Sequence, residues 1–189
     1  ALSFSQRDKG SRFEHLMQGY LLTDPKYAIR FKHVWMWNDF PAQSEFGGKD
    51  TGIDLVAMTH KGDYWAVQCK CFQESDSIDK PAVDSFLATS SREFHDENGN
   101  TVRFAHRLWI STTNKWGSNA TETLKNQNPP VTRINLYDLQ EAPVDWEKLE
   151  QGIHGEPSRI TPKTLYPHQR EAMDNAHEYF KTSDRGKLI

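Results

Sequence analysis

The spacing of apolar positions changes several times along this chain, and each change predicts an element. Phe13, Leu16, Met17, Tyr20 and Leu21 recur at helical intervals, so one stripe of an amphipathic helix faces a core. Ser11-Arg12-Phe13-Glu14 in front of it fits a capping box, in which the Ser11 hydroxyl and the Glu14 carboxylate each satisfy a free backbone N–H. An aromatic segment, Phe31 to Phe40, and a glycine-rich one, Phe46 to Gly52, follow; glycines allow sharp turns or a close approach of backbone. Two hydrophobic runs, Ile53 to Met58 and Tyr64 to Phe72, are then joined by the polar stretch His60-Lys61-Gly62-Asp63, which predicts a hairpin. Asp79 to Phe94 returns to helical spacing, with Pro81 suited to the first turn.

Further on, a polar turn at Asp96 to Asn100 leads to a strand over Arg107 to Thr112. A short helix near Asn119 to Gln127 ends at Pro129-Pro130, and Arg133 to Leu139 reads as a last strand. The order of elements predicts an α/β sandwich with a mixed sheet over residues 1–140. Residues 141–164, rich in Pro, Glu and Gly, read as a linker with a short helix near Asp145 to Glu150. From Leu165 a new element begins. Pro167 opens a helix carrying Ala172, Met173, Ala176 and Phe180 on one face, and Gly186-Lys187-Leu188-Ile189 looks like the entry to a strand of a further domain.

A chain of 189 residues can hold one ordinary domain with something left over. No apolar run reaches the roughly 18 residues that cross a bilayer, and residues 1–9 lack the apolar core of a signal peptide, so the expected location is the cytoplasm, with no membrane contact. Cys69 and Cys71 lie two apart on one strand, without zinc-site spacing, and read as core residues. Trp35, Trp37 and Trp109 read as core or half-buried strand aromatics. The eight histidines show no HxxxH or paired Cys/His spacing. A net charge of −3 is not that of a dedicated nucleic-acid module. A local basic surface would have to come from Lys80, Arg92, Arg103, Arg107, Lys115 and Lys125.

Candidate chemistry sits on the hairpin. By strand alternation Gln68 and Lys70 share one face of the second run, so a polar pair interrupts a buried-looking strand. Burying an amide and an ammonium costs several kcal/mol unless they have partners, and Asp54 is the obvious carboxylate. A loop of odd length at His60 to Asp63 places Asp54 opposite Gln68 or Lys70; a two-residue Lys61-Gly62 turn places it opposite Cys69. A carboxylate, an amide oxygen and the backbone carbonyl of Cys69 together suit Mg²⁺, with Mn²⁺ as a substitute, and Lys70 would serve the attacking water or the phosphorane charge in phosphodiester hydrolysis. Glu14, already explained as a cap, and Asp50 are the further acids available. The polar stretch Ser111 to Ser118 ends a strand and suits either phosphate contacts or a plain loop.

With Gly52-Ile53-Asp54-Leu55 and Gln68-Cys69-Lys70 in view, the chain resembles the Mrr-like branch of the PD-(D/E)XK nucleases over about Gly10 to Leu139. The resemblance implies a restriction-endonuclease-like fold and Mg²⁺-dependent DNA cleavage, with Asp54, Gln68 and Lys70 in the metal and catalytic roles and Glu14 as the acid of the first helix. Gln68 replaces the usual carboxylate, which bears on the number of metals. Leu165-Tyr166-Pro167-His168-Gln169 resembles the entry to a superfamily 2 helicase motor, with Gln169 near adenine. No Walker A sequence follows, so ATP would matter only in the complete enzyme. A nuclease leading into such a motor is similar to the N-terminal part of a single-chain Type ISP restriction-modification enzyme. That implies double-stranded DNA as substrate and motor, methyltransferase and target-recognition domains downstream. It also implies a nuclease that does not itself read sequence, with a second copy for double-strand breaks. The alternative is a catalytically silent DNA-binding or coupling module on the same fold, in which Asp54 and Lys70 form only an ion pair.

Overall fold

Alternating strands and helices build a mixed sheet with helices on both faces in the computed structural model, which describes residues 6–47, 52–73, 75–160 and 165–181. Helix α1 (Gln6–Thr23) and the short α2 (Pro25–Ala28) lead into β1 (Phe31–Met36), and β2 (Leu55–Thr59) and β3 (Tyr64–Lys70) form the hairpin. Helix α3 (Lys80–Ser90) carries the chain to β4 (Glu93–His95) and β5 (Thr101–Ser111), and α4 (Ser118–Thr123), β6 (Val131–Ile134), α5 (Leu136–Gln140) and α6 (Trp146–Glu150) complete the body. The sheet order is β1-β2-β3-β5-β4, with β6 also pairing with β5. Strands β3, β5 and β6 are parallel, whereas β1, β2 and β4 run antiparallel to their neighbours.

Two apolar layers sandwich this sheet. Phe13, Met17, Tyr20 and Leu21 of α1 pack with Leu55, Ala57, Val67, Cys69, Leu108 and Ile110 on one face. Val83 and Phe86 of α3 pack with Val56, Ala66, Trp109, Phe46 and Phe94 on the other. The parallel core strands are consequently apolar on both sides, as expected when helices cover both faces. Gly52 explains how closely α3 can lie. It adopts a φ of +72°, and a Cβ there would come within 3.1 Å of the Phe86 backbone nitrogen.

Several sequence expectations are corrected by these elements. Helix α1 starts at Gln6, so Ser11 lies inside it and cannot cap it; Glu14 is thereby released from the capping-box explanation. Phe94 belongs to edge strand β4, because α3 ends at Ser90, where Ser90 Oγ bonds back to the Phe86 carbonyl at 2.7 Å. Leu139 lies in helix α5, which Asn135 and Asp138 cap reciprocally, so the last strand stops at Ile134. Residues 141–160 are packed on the body and do not dangle as a linker: Val144 and Leu149 are buried in the α1-side core, and Gly155 N–H donates to Thr23 Oγ1 at 2.7 Å. Helix α6 occupies the place predicted for it, with Asp145 as N-cap. Cys69 is buried and Cys71 exposed, so only the first is a core residue. Among the described residues no helix is long and apolar enough to cross a membrane. Asp50, residues 161–164 and the stretch 186–189 lie outside the described residues.

Candidate active site

A three-residue loop sets the register of the hairpin. Thr59 N–H bonds the Asp63 carbonyl at 2.9 Å and Gly62 N–H the Thr59 carbonyl at 3.0 Å, with Gly62 at φ +90°. This is a turn closed by a left-handed glycine, the odd-numbered geometry. The ladder then pairs Leu55 with Val67, and its next step sets Asp54 against Gln68. Asp54 is fixed at the end of β2 by its own backbone: its N–H donates to the Val67 carbonyl at 2.9 Å and its carbonyl accepts from Trp37 N–H at 2.8 Å.

The side chains converge at the C-terminal end of β3. Asp54 Oδ2 accepts the Cys69 backbone N–H at 2.7 Å and also the Gln68 Nε2. Gln68 Nε2 lies 3.4 Å from the Cys69 carbonyl, so the amide stands between two oxygens of the proposed ligand set. Gln68 is wholly buried, and its Oε1 has no hydrogen-bond partner among the described residues. An orphaned buried oxygen next to a carboxylate is expensive unless a cation or donor answers it. Lys70, half-buried, lies two residues further along the same face.

Glu14 joins this group from α1. Burial, followed by the nearby Asp54 charge, pushes its carboxyl above the ordinary glutamate value, while His15 and Lys70 pull the other way. The Cys69 thiol is pushed up by burial and by the same two carboxylates, so it is an inert core thiol while its backbone does the bonding. Asp54, Gln68, Cys69, Lys70 and Glu14 thus form one neighbourhood drawn from a helix and two strands. Among the described residues no group of three or more His, Cys, Asp or Glu side chains is arranged to hold a metal. The donors on hand are one carboxylate, an amide and a backbone carbonyl, with a second carboxylate nearby. Such hard oxygens fit Mg²⁺ or Mn²⁺ and suit a soft metal poorly.

Of the basic residues expected to form a surface, Arg107 is not on it and most of the others are engaged by neighbouring groups. Arg107 is buried at 1% exposure, and its guanidinium donates to Ser90 Oγ, Ser91 Oγ and the Pro129 carbonyl at 2.7, 2.7 and 2.5 Å. Lys80, Arg103 and Lys125 pair with Asp84, Glu93 and Glu122, and Arg92 bonds the Phe46 and Glu45 carbonyls. Lys115 remains exposed. Gln169, expected near adenine, sits in the first turn of α7 (Pro167–Phe180), where its Oε1 accepts Tyr166 N–H at 3.0 Å. Sequence reasoning missed the Cys69 N–H as a clamp on Asp54, since a backbone donor leaves no mark on residue identity.

The family model for a restriction endonuclease, of the Mrr catalytic type, matches residues 22–156. The chain belongs to this restriction endonuclease family. Its fold is accordingly the restriction-endonuclease-like one, a six-stranded mixed sheet flanked by helices. Among solved structures, it is similar to the ATP-dependent Type ISP restriction-modification enzyme LlaBIII bound to DNA, at 29% identity and a TM-score of 0.63, over 97% of this chain and 11% of that one. The chain therefore spans about a ninth of that protein's length. The modification-dependent restriction endonuclease AspBHI matches at 12% identity and a TM-score of 0.46, covering 93% of this chain and 37% of that one. MspJI, solved with a 27-mer oligonucleotide, matches at 15% and 0.43, covering 86% and 35%. No curated protein sequence matches.

Proposed function

We propose that this restriction endonuclease domain hydrolyses DNA phosphodiesters with Mg²⁺, Mn²⁺ substituting, and that it cuts without reading sequence itself. The observation that carries this is the convergence of the Asp54 carboxylate, the buried Gln68 amide and the Cys69 carbonyl beside Lys70. Those three would hold the ion. When bound, the divalent cation neutralises the scissile phosphate and acidifies a bound water.

The chain's own groups supply the rest. Lys70 brings an ammonium to the end of β3, where it stabilises negative charge on the phosphorane or orients the attacking water. Glu14, with its raised pKa, retains a proton to higher pH than a solvated glutamate and adds negative charge for the cation when ionised. Hydrogen bonds from Cys69 N–H and Gln68 Nε2 preorganise the Asp54 carboxylate, so its position costs little at the moment of binding.

The likeness to LlaBIII, bound to DNA in its structure, supports DNA as substrate, and we propose that it is double-stranded. We further propose a cytoplasmic enzyme whose chain continues into an ATP-driven motor from about Leu165, with Gln169 at adenine, and into methyltransferase and target-recognition domains; the ATP dependence and restriction-modification activity named for LlaBIII support this reading. One active centre cuts one strand, so a second copy would complete a double-strand break. The test is nicking of supercoiled plasmid with Mg²⁺ or Mn²⁺. Asp54→Ala is expected to lose both nicking and metal binding, and Lys70→Ala to lose nicking with folding intact. Lys70→Ala cutting at the unsubstituted rate would remove Lys70 from its role.

A further inference from the structure

Beyond Lys70 the sheet ladder stops, yet the chain is held. The last paired residues of β3 and β5 are Lys70 and Ser111, and one more rung follows, from Thr112 N–H to the Lys70 carbonyl at 3.2 Å. The Thr112 hydroxyl then takes over. It accepts Phe72 N–H at 2.8 Å and donates to the Phe72 carbonyl at 2.6 Å, closing both backbone groups of that residue. Thr113 repeats the device further on: its Oγ1 donates to the Asp76 carbonyl at 2.7 Å and accepts Lys115 N–H at 3.1 Å. The polar stretch after β5 therefore spends these two hydroxyls on the backbone leaving β3, where they are not available to a phosphate.

This matters for Lys70 in particular. Asp54, Gln68 and Cys69 are fixed by bonds among themselves and by the β2–β3 register. The Lys70 ammonium has no hydrogen bond or ion pair to another described residue, and it ends a flexible four-carbon stem. The Lys70 backbone is held by the Ser111 pairing and the Thr112 N–H, and the course of the chain just beyond it is held by the Thr112 hydroxyl on Phe72.

We propose that Thr112 is a positioning residue for Lys70: its hydroxyl clasps Phe72 and so fixes the exit of β3 on which the ammonium is carried. The inference rests on the nuclease reading for its catalytic consequence, while the clasp itself can be read without catalysis. Thr112→Val keeps the shape and removes both hydroxyl bonds; Thr112→Ser keeps the hydroxyl. Misplacement of a catalytic group by about 1 Å can cost on the order of 100-fold. Thr112→Val is therefore expected to lower kcat for plasmid nicking by about 10- to 100-fold with KM for DNA and Mn²⁺ affinity unchanged, and Thr112→Ser to restore most of it. Amide exchange at Phe72 should speed up at least about tenfold in the valine variant alone, that being the rate expected from loss of a bond of roughly 1.4 kcal/mol.

Nicking by Thr112→Val at the unsubstituted rate overturns the proposal, as does equal impairment in the serine variant or a parallel fall in Mn²⁺ affinity. Absence of nicking by the unsubstituted protein would count against the nuclease reading. In that event unchanged Phe72 exchange in Thr112→Val would still overturn the clasp.

Discussion

Replacing Gln68 by Glu tests the site more sharply than deleting it, because it restores the carboxylate usual at this position in the wider nuclease group while changing almost no volume. In the metal-free fold the change is costly. Gln68 is wholly buried and its Nε2 donates to Asp54 Oδ2; a glutamate there loses that donor and sets a second carboxylate against the first. Breaking a buried polar pair and leaving a charge without compensation costs about 3–5 kcal/mol. Protonation relieves part of this, so about 3 kcal/mol is expected near neutral pH. For a domain of this size that lowers Tm by about 6–12 °C. The new glutamate's pKa is raised in the folded state, hence the folded form binds more protons, and the penalty shrinks as pH falls and grows as it rises. A divalent cation held at the site would offset the penalty, because two carboxylates would bind it more tightly than one. At 100 times its Kd it contributes about 2.7 kcal/mol, enough to recover most of the loss. Thermal melts of both proteins in EDTA and in a Mg²⁺ or Mn²⁺ series provide the assay. A variant as stable as the parent in EDTA, or one that metal fails to stabilise more than the parent, would refute the assignment of Gln68 to the metal site.

Two further outcomes follow from groups away from the site. Arg107→Met should destabilise the fold by about 2–4 kcal/mol in urea titration, since Ser90, Ser91 and the Pro129 carbonyl lose their shared donor; at equal folded fraction DNA affinity should not change, and a large specific loss of DNA binding would return Arg107 to the surface role its charge suggests. His106 is held below its ordinary pKa, first by burial and then by Arg30 and Arg107, with its Nε2 2.8 Å from Thr132 Oγ1. The unfolded chain therefore takes up a proton near pH 6.5 that the folded one resists, so this group's contribution is present above about pH 6.5 and is lost as pH falls through the folded value. His106→Gln should flatten the fall in unfolding free energy between about pH 7 and 5, and identical pH slopes in the two proteins would exclude it.

The meeting of Asp54 with Gln68 was legible for a physical reason: polar residues at period two inside an apolar run need polar partners, and a hairpin loop of odd length is what brings Asp54 to their face. What stayed hidden was decided by contacts between segments far apart in sequence. Phe94 fits a helical stripe with Val83 and Leu87, yet Ser90 ends α3 and the turn at Asp96 to Asn100 draws Phe94 into a strand, where it packs on Phe40, Tyr64 and Phe104. Arg107 carries the charge of a surface residue and the environment of a core one, and only the meeting of α3's last turn with Pro129 tells them apart. Glu14 shows the reverse case, in which a local rule was satisfied on paper by Ser11 and overridden by a helix that begins earlier. Its carboxyl then lies within reach of the Asp54 charge, so that two acids interact with His15 and Lys70 to offset them. A fold tolerates that arrangement at a cost in stability, and binding of the proposed cation would lower that cost, coupling stability and proposed activity through the same few atoms. Metal should consequently raise the melting temperature of the unsubstituted protein and do so less in Glu14→Gln, where one of the two acids is gone.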